Sequence, residues 1–212
     1  ASGIPVMHLL RNLCHGSKCA IIGDWTPEAA LQLIEQERAT IMVLVPTMLT
    51  SLLDSGLLQK YDTSSVRQLG YGAAPITPAV MREAVRAFGC DMLQMYGSTE
   101  LMGMSMMLYP TDHERGLAMD YAHVLSSAGR ALPFVDTKIV DEEGNELAVG
   151  ETGELLIASP FVIQEYWNNP EQYQQTVVDG WLRTGDMARV DAEGYLYLGD
   201  RAKFRIKTGG YN

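Results

Sequence analysis

Residues 68–96 read QLGYGAAPITPAVMREAVRAFGCDMLQMY, and the order of segments in this stretch indicates the fold. The segment from Gln68 to Gly72 is typical of a strand that ends in a tight, glycine-rich loop. Thr77 stands where a helix N-cap is expected, and proline follows it at the first helical position. An apolar helix face with i, i+3, i+4 and i+7 spacing is formed by Met81, Ala84, Val85 and Phe88. Gly89 predicts the end of this helix, and Asp91–Tyr96 follows as a second strand.

The same alternation extends upstream of this stretch. Thr26-Pro27-Glu28 predicts the start of a helix that continues to about Arg38. The apolar run from Ile41 to Val45 predicts a fully buried strand, and Pro46-Thr47 opens another helix. A further short, strand-like run extends from Cys19 to Ile22. Strands and helices in alternation predict an α/β fold with a largely parallel, covered sheet over residues 1–125.

The second half of the chain has a different pattern. Short strand-like segments at 134–140, 153–158 and 187–190 are separated by closely spaced turns. A hairpin turn at 191–194 leads into a last strand at 195–198. This pattern predicts a small antiparallel β subdomain, barrel-like in type, over residues 126–200, with 201–212 as a separate final segment.

The composition excludes several classes of function. The chain has 212 residues, 16 basic and 26 acidic side chains, and a net charge of −10. This acidic balance argues against nucleic-acid binding, which needs clustered Lys and Arg, and against an anionic membrane surface. No apolar run approaches the roughly 18 residues of a membrane span, so stable membrane insertion is not expected.

The three cysteines, Cys14, Cys19 and Cys90, show no disulfide framework spacing and predict free thiols in a reducing compartment, the cytoplasm. Cys14 and Cys19, with two histidines nearby, also admit a metal site, although their spacing matches no standard zinc pattern. Ordinary buried thiols are the favoured interpretation.

Three glycine-containing loops carry side chains suited to nucleotide chemistry. The first, residues 70–77, joins a strand to a capped helix, where open α/β sheets bind ligands. The second, residues 94–100, offers an aromatic face, two hydroxyls and a carboxylate. The third, residues 181–186, places an aspartate after a predicted Thr-Gly turn, and four cations follow within residues 201–207. Taken singly, each loop is also compatible with a purely structural turn, and the cations with a solvated edge strand.

Taken together, these loops resemble the adenylate-forming enzymes, which include acyl-CoA synthetases, aryl-CoA ligases, luciferases and peptide-synthetase adenylation domains. The resemblance covers essentially the whole chain, in five ordered motifs. They are Gly72-Ala73-Ala74-Pro75, Tyr96-Gly97-Ser98-Thr99-Glu100, residues 150–155, residues 181–186 and residues 200–210. Further sequence similar to the family lies between them, as in Tyr166-Trp167-Asn168-Asn169-Pro170-Glu171. The family activates a carboxylic acid with ATP as an acyl-adenylate, releases pyrophosphate, and commonly passes the acyl group to coenzyme A.

The resemblance implies a role for each matched residue. Gly72, Ala73, Ala74 and Pro75 would flank adenine, and Tyr96 would stack on it, followed by Gly97 and Ser98 in the same nucleotide loop. Thr99 would hydrogen-bond the α-phosphate, and Glu100 would hold Mg²⁺, both as catalytic residues. Asp186 would bind the ribose hydroxyls, with Arg201 assisting. Lys203 matches the hinge to a C-terminal domain, and Lys207 the catalytic loop beyond it.

The resemblance also implies an acyl pocket lined by Tyr71, Met95, Gly103 and Met104. Tyr71 and Met95 stand where many relatives carry smaller residues, which would narrow or reshape the pocket. Ser98 stands where peptide-synthetase domains usually have proline, which favours a CoA ligase over an amino-acid-activating domain. The resemblance implies a small-molecule carboxylic acid as the partner, of a fatty, aryl or other type.

Two parts of the family pattern have no match in this chain. They are the upstream phosphate loop and the C-terminal domain with its lysine, so the chain is expected to be an interior fragment without activity of its own. Two alternatives remain open: an adenylation domain that loads a carrier protein, and a non-catalytic nucleotide-binding relative.

Overall fold

The computed structural model describes residues 3–74, 76–118 and 121–201. Six α-helices lie in this part of the chain. They are α1 Gly3–Cys14, α2 Pro27–Glu37, α3 Pro46–Asp54, α4 Pro78–Phe88, α5 Pro110–Leu117 and α6 Pro170–Thr176. Among the residues described, no helix has the length and apolar character needed to cross a membrane.

The first half forms a mixed five-stranded sheet. Its strands, in spatial order, are β1 Ile41–Leu44, β2 Gln68–Gly72, β3 Asp91–Tyr96, β4 Met106–Leu108 and β5 Arg130–Ala131. The first three strands are parallel, as expected, whereas β4 and β5 add antiparallel at one edge. The antiparallel direction of these two strands follows from short connections, since a loop such as 97–105 is too short for the crossover that a parallel neighbour requires.

The second half forms an antiparallel sheet, as the sequence predicts. Its strands are β6 Asp136–Val140, β7 Gly153–Ala158, β8 Val177–Val178, β9 Trp181–Val190 and β10 Leu196–Arg201. The order is β10-β9-β7-β6, with β8 paired to β9. Its apolar core also includes Leu101 and Met106 from the first half, so the two sheets pack against a shared interior.

The expected helix caps are confirmed. The Thr26 hydroxyl accepts a hydrogen bond from the backbone N–H of Ala29 at 3.1 Å, and α2 ends with Arg38 in the left-handed conformation. Thr77 caps α4 in the same manner, and Gly89 ends that helix with φ +58°. Both helices pack their apolar faces on the first sheet, in a core with Leu69 and other strand residues.

Three local expectations differ from the structure. Cys19 to Ile22 is irregular rather than a strand, Ile21 is 75% exposed, and β1 remains the edge of the described sheet. Helix α1 was not expected. The last expected strand before the hairpin begins at Trp181 rather than Met187. The predicted turn at Thr184–Asp186 is therefore an irregularity within β9, where Gly185 has φ +69° and the register with β7 shifts.

Candidate nucleotide-binding site

The first two predicted loops leave the sheet side by side. Strands β2 and β3 are parallel neighbours, and Gly72 pairs with Met95 at their carboxyl ends. In open sheets of this kind, the loops that follow neighbouring strands form the ligand crevice. The structure therefore brings the Gly72 and Gly97 loops together, as the nucleotide-site prediction requires.

The loop after β2 is built for close backbone contact. A Cβ atom at Gly72 would lie 2.3 Å from the carbonyl oxygen of Met95, so no side chain fits at this position. Ala73 follows with φ +68°, a conformation that non-glycine residues seldom adopt and that persists only when the surroundings impose it. Ala74 completes the described part of the loop, and Pro75 lies outside the described residues.

The loop after β3 turns back on itself at Gly97. A Cβ atom there would lie 2.3 Å from the carbonyl oxygen of Gly103 and 3.0 Å from Cα of Met104. The backbone N–H of Gly103 also donates to the carbonyl oxygen of Ser98 at 2.8 Å. Residues 97–103 thus form one compact unit, in which Thr99–Leu101 is a short 3₁₀ helix.

Two hydroxyls on this loop have contrasting environments. The Ser98 Oγ atom is buried and has no hydrogen-bond partner within the part of the chain that the structure describes. A buried hydroxyl left unpaired lowers the stability of the folded state by about 1–3 kcal/mol, so a ligand acceptor that paired with it would offset this loss. The next residue, Thr99, is exposed to solvent. The loop therefore presents the Thr99 hydroxyl to a phosphate group, whereas the Ser98 hydroxyl is concealed.

A hydrogen bond joins this loop region to the second sheet. The Tyr96 hydroxyl, at the end of β3, donates to Oδ2 of Asp186 on β9 at 2.7 Å. Asp186 is only 9% exposed, and its backbone N–H donates to the Thr184 hydroxyl at 3.1 Å. Arg201 pairs with Asp186 along the backbone of β10 and β9. Tyr96 and Asp186, separated by 90 residues in sequence, thus meet in one place as the prediction requires.

Glu100 is the acidic group of the Gly97 loop. It is half-buried, and its Oε1 atom accepts a hydrogen bond from the Tyr166 hydroxyl at 3.0 Å. The described residues contain no cluster of three or more His, Cys, Asp or Glu side chains that could hold a metal ion by themselves. One carboxylate oxygen donor fits a hard divalent cation that draws its remaining ligands from water and from nucleotide phosphates.

The four residues predicted for an acyl pocket do not lie on one surface. Met95 lies beside Gly72, and Gly103 and Met104 pack against Gly97. Tyr71 pairs with Gln94, so its side chain lies on the opposite face of the sheet from that of Met95. The Tyr71 side chain is fully buried in the core under the helices and is not available to an acyl group on the Met95 side.

Tyr71 has a buried histidine partner that sequence reasoning missed. The Nε2 atom of His113 on α5 lies 2.9 Å from the Tyr71 hydroxyl, and its Nδ1 atom lies 2.8 Å from the Tyr109 carbonyl oxygen. Because a carbonyl only accepts, Nδ1 carries a proton. Burial lowers the pKa of His113 and raises the pKa of Tyr71. A lone histidine on a helix has no spacing pattern that would have marked it.

Lys203 and Lys207, predicted as the hinge and a catalytic lysine, lie outside the described residues. The sequence identifies Tyr166 only as part of a family-like segment and predicts no role for it. No spacing rule could assign it one, because its partner Glu100 is 66 residues away.

Comparison with known proteins places this site in context. Residues 4–167 match the family described as AMP-binding enzyme. The medium/long-chain-fatty-acid–CoA ligase FadD8 of Mycobacterium tuberculosis is 37% identical over 93% of this chain and 33% of its own length. The indoleacetate–CoA ligase of Aromatoleum aromaticum is 36% identical over 99% of this chain and 41% of its own length. The chain thus spans between a third and about two fifths of these curated relatives.

Solved structures agree with this assignment. The amide bond synthetase McbA from Marinactinospora thermotolerans superposes with a TM-score of 0.82 at 37% identity, over 90% of this chain and 37% of that one. The O-succinylbenzoate coenzyme A synthetase MenE from Bacillus subtilis in complex with AMP gives a TM-score of 0.79 at 27% identity, over 95% and 39%. On its sequence match, its relatives and its fold, the chain belongs to the AMP-binding enzyme family.

Proposed function

We propose that this chain is part of an ATP-dependent acid–thiol ligase. In the first half-reaction, a carboxylate oxygen of the substrate attacks the α-phosphorus of ATP, and the bond from that phosphorus to the pyrophosphate oxygen breaks. In the second, the thiol of coenzyme A attacks the acyl carbon, AMP leaves, and the thiol proton is released. The relatives named as CoA ligases for fatty and aryl acids support this reaction class.

The observation that carries the proposal is the contact between Tyr96 and Asp186. It brings an aromatic ring and a carboxylate from two different sheets to the mouth of the Gly72 loop. The ring offers a stacking surface for adenine, and the carboxylate accepts from the ribose hydroxyls. Arg201 is proposed to assist at the ribose.

The Gly97 loop is proposed to bind the α-phosphate. Charge builds on the phosphate oxygens during attack, and fixed donors stabilise it best when they need no reorganisation. Thr99 supplies an accessible hydroxyl on a rigid turn, which the contact of Gly97 with Gly103 maintains. Mg²⁺, when bound by Glu100 together with the phosphates, would neutralise charge on the nucleotide.

The acyl group is proposed to lie near Met95, Gly103 and Met104, beside the phosphate loop. Lys203 is proposed as the hinge about which a C-terminal domain turns between half-reactions, and Lys207 as a residue of the loop used in thioester formation. The cytoplasm is the proposed compartment, a proposal that the free Cys14, Cys19 and Cys90 support.

The 212-residue chain alone is proposed to lack adenylation activity. Positioning supplies much of the rate in such a site, and the chain spans only a third to about two fifths of its curated relatives. Purified chain should release no pyrophosphate with ATP and any carboxylate, and measurable turnover would contradict this proposal.

The full-length protein tests the proposed function directly. A panel of fatty and aryl carboxylates with ATP should yield pyrophosphate with at least one acid, and thioester when coenzyme A is added. Asp186→Asn should raise the KM for ATP far more than the KM for the acid. Absence of pyrophosphate release across the panel, in protein that is folded, would overturn the assignment.

A carrier-protein acceptor is the second candidate. It is favoured by the fatty acid–[acyl-carrier-protein] ligase ScoC of Streptomyces coeruleorubidus, which is 32% identical over 99% of this chain. The same assay with a phosphopantetheine carrier protein in place of coenzyme A separates the two acceptors.

A further inference from the structure

Glu100 is held twice by one loop. The loop of residues 159–169 lies between β7 and α6, and its Tyr166 hydroxyl donates to Oε1 of Glu100 at 3.0 Å. Its Ile163 backbone N–H donates to the carbonyl oxygen of the same glutamate at 2.9 Å. One residue of the phosphate loop is therefore fixed at both its backbone and its side chain by a segment more than 60 residues away.

The loop that carries Tyr166 is itself braced at both ends. At its start, the Ser159 carbonyl oxygen accepts from the backbone N–H of Val162 at 3.2 Å. At its end, Asn169 donates its backbone N–H to the Tyr166 carbonyl oxygen at 3.1 Å, and its side chain caps α6. The Tyr166 hydroxyl is therefore presented from a supported position rather than from a freely moving segment.

This bracing bears on how the carboxylate points. A hydroxyl that donates to one oxygen of a carboxylate restricts its rotation and sets the direction of the second oxygen. Carboxylates that bind metal ions are commonly oriented by such outer hydrogen bonds, and loss of the outer partner weakens metal binding. The half-buried environment of both residues strengthens the bond relative to one in open water.

We infer that Tyr166 is a positioning residue that orients the Glu100 carboxylate for a divalent cation bound with nucleotide phosphates. The inference rests on the proposed function, since it assumes that Glu100 meets such a cation. In this role Tyr166 acts through Glu100.

Binding of Mn²⁺ to the full-length protein in the presence of ATP tests this inference without relying on turnover. Electron paramagnetic resonance reports free Mn²⁺ directly, and a protein-free titration at the same ATP concentration subtracts the Mn²⁺ that ATP holds by itself. Tyr166→Phe should weaken Mn²⁺ binding roughly 10-fold, while binding of ATP without metal stays within about 2-fold of wild type. The double variant with Glu100→Gln should bind no more weakly than Glu100→Gln alone, because the tyrosine acts only through this carboxylate.

Tyr197→Phe is the matched control. Its hydroxyl also donates to a carboxylate at 3.0 Å, that of Asp191, in the hairpin next to β10. This variant should keep wild-type Mn²⁺ affinity. Tyr166→His retains a ring N–H donor and should recover part of the loss. If Tyr166→Phe does not fold, the smaller weakening of Mn²⁺ binding in Tyr166→His tests the same role.

The outcomes separate the inference from the proposed function. If wild-type protein binds no Mn²⁺ with ATP, both are overturned. If wild type binds and Tyr166→Phe binds equally well, only the role of Tyr166 is overturned, and a lowered melting temperature in that variant would show that the tyrosine merely anchors its loop.

Discussion

At the scale of single residues, Gly97 shows how closely the candidate site is packed. Its Cα faces the backbone of Gly103, and the space for a Cβ is already taken by a carbonyl oxygen. A side chain there must displace backbone rather than a flexible side-chain end. Gly23 offers a contrast, since a Cβ there meets nothing within 4 Å and its φ is not positive.

We predict that Gly97→Ala destabilises the protein by about 1–3 kcal/mol, the usual cost of inserting an atom into a packed region. Displacement of Gly103 should also weaken ATP binding, because Ser98 is bonded to it. Urea unfolding and nucleotide titration measure the two effects. Gly23→Ala is the control and should be close to neutral, whereas equal behaviour of the two variants would contradict the argument.

Residue identity alone was enough to predict most of the candidate site, but not the face of the sheet on which each side chain lies. The motifs predicted Gly72, Tyr96, Ser98 and Glu100 as site residues, and the structure places them on adjoining loops. Tyr71 was nominated in the same way, yet strand alternation turns its side chain to the opposite face from Met95. The pairing register that reveals this depends on contacts between strands, which a single sequence does not display.

At the scale of elements, α5 is attached to the sheet through His113. The His113 ring bridges Tyr109, the N-cap of its helix, and Tyr71 on β2, and Asp112 lies beside it on the helix. Burial lowers the pKa of His113 below its ordinary value near 6.5. The unfolded chain therefore binds a proton at a pH where the folded protein does not.

This difference predicts acid sensitivity. With its folded pKa lowered, His113 costs no stability above pH 6.5, and stability is lost as the pH falls from 6.5 through the folded pKa. His113→Gln should lower stability at pH 7.5 but flatten the decline between pH 7 and pH 5, as followed by urea midpoints. His8 has a pKa lowered mainly by burial and then by Arg11, so His8→Gln should remove a separate part of the decline. An unchanged slope in His113→Gln would contradict this assignment.

Elements with strong local signals matched the structure, and those without them did not. Helices α2 and α4 carry threonine caps and prolines at the first position, so their starts were predicted correctly. Strand β9 was predicted only in part, because Gly185 in its middle resembles a turn. Pairing with β7 on one side and β10 on the other keeps the strand continuous through this glycine.

At the scale of the whole molecule, a buried carboxylate joins the two halves. Asp112 on α5 is 3% exposed and accepts from the Tyr195 hydroxyl at 2.6 Å and from Nη2 of Arg130 at 3.2 Å. Backbone bonds support this junction, since Leu196 exchanges hydrogen bonds with Ala128 and Gly129. The hairpin of the second sheet is thereby fixed to the first.

We predict that Tyr195→Phe destabilises the protein by about 1–3 kcal/mol, because it removes a donor from a buried carboxylate. The urea midpoint should fall, and ATP affinity should fall with it if this junction helps to hold Asp186 near Tyr96. Tyr61→Phe serves as control, since its hydroxyl meets Glu28 at 3.3 Å in an exposed pair, and it should change stability by less than about 0.5 kcal/mol. A neutral Tyr195→Phe would show that Arg130 and the Tyr109 backbone N–H suffice for Asp112.

The sequence by itself determined the class of each half and the caps of its helices, and it located the loops proposed to carry the chemistry, because periodicity and capping depend on residues close along the chain. Only the tertiary structure decided which face Tyr71 occupies, that Asp186 meets Tyr96, and that Tyr166 holds Glu100. These contacts join residues 23 to 90 positions apart, and they depend on strand register and on how two sheets pack. Local propensity carries no information about either.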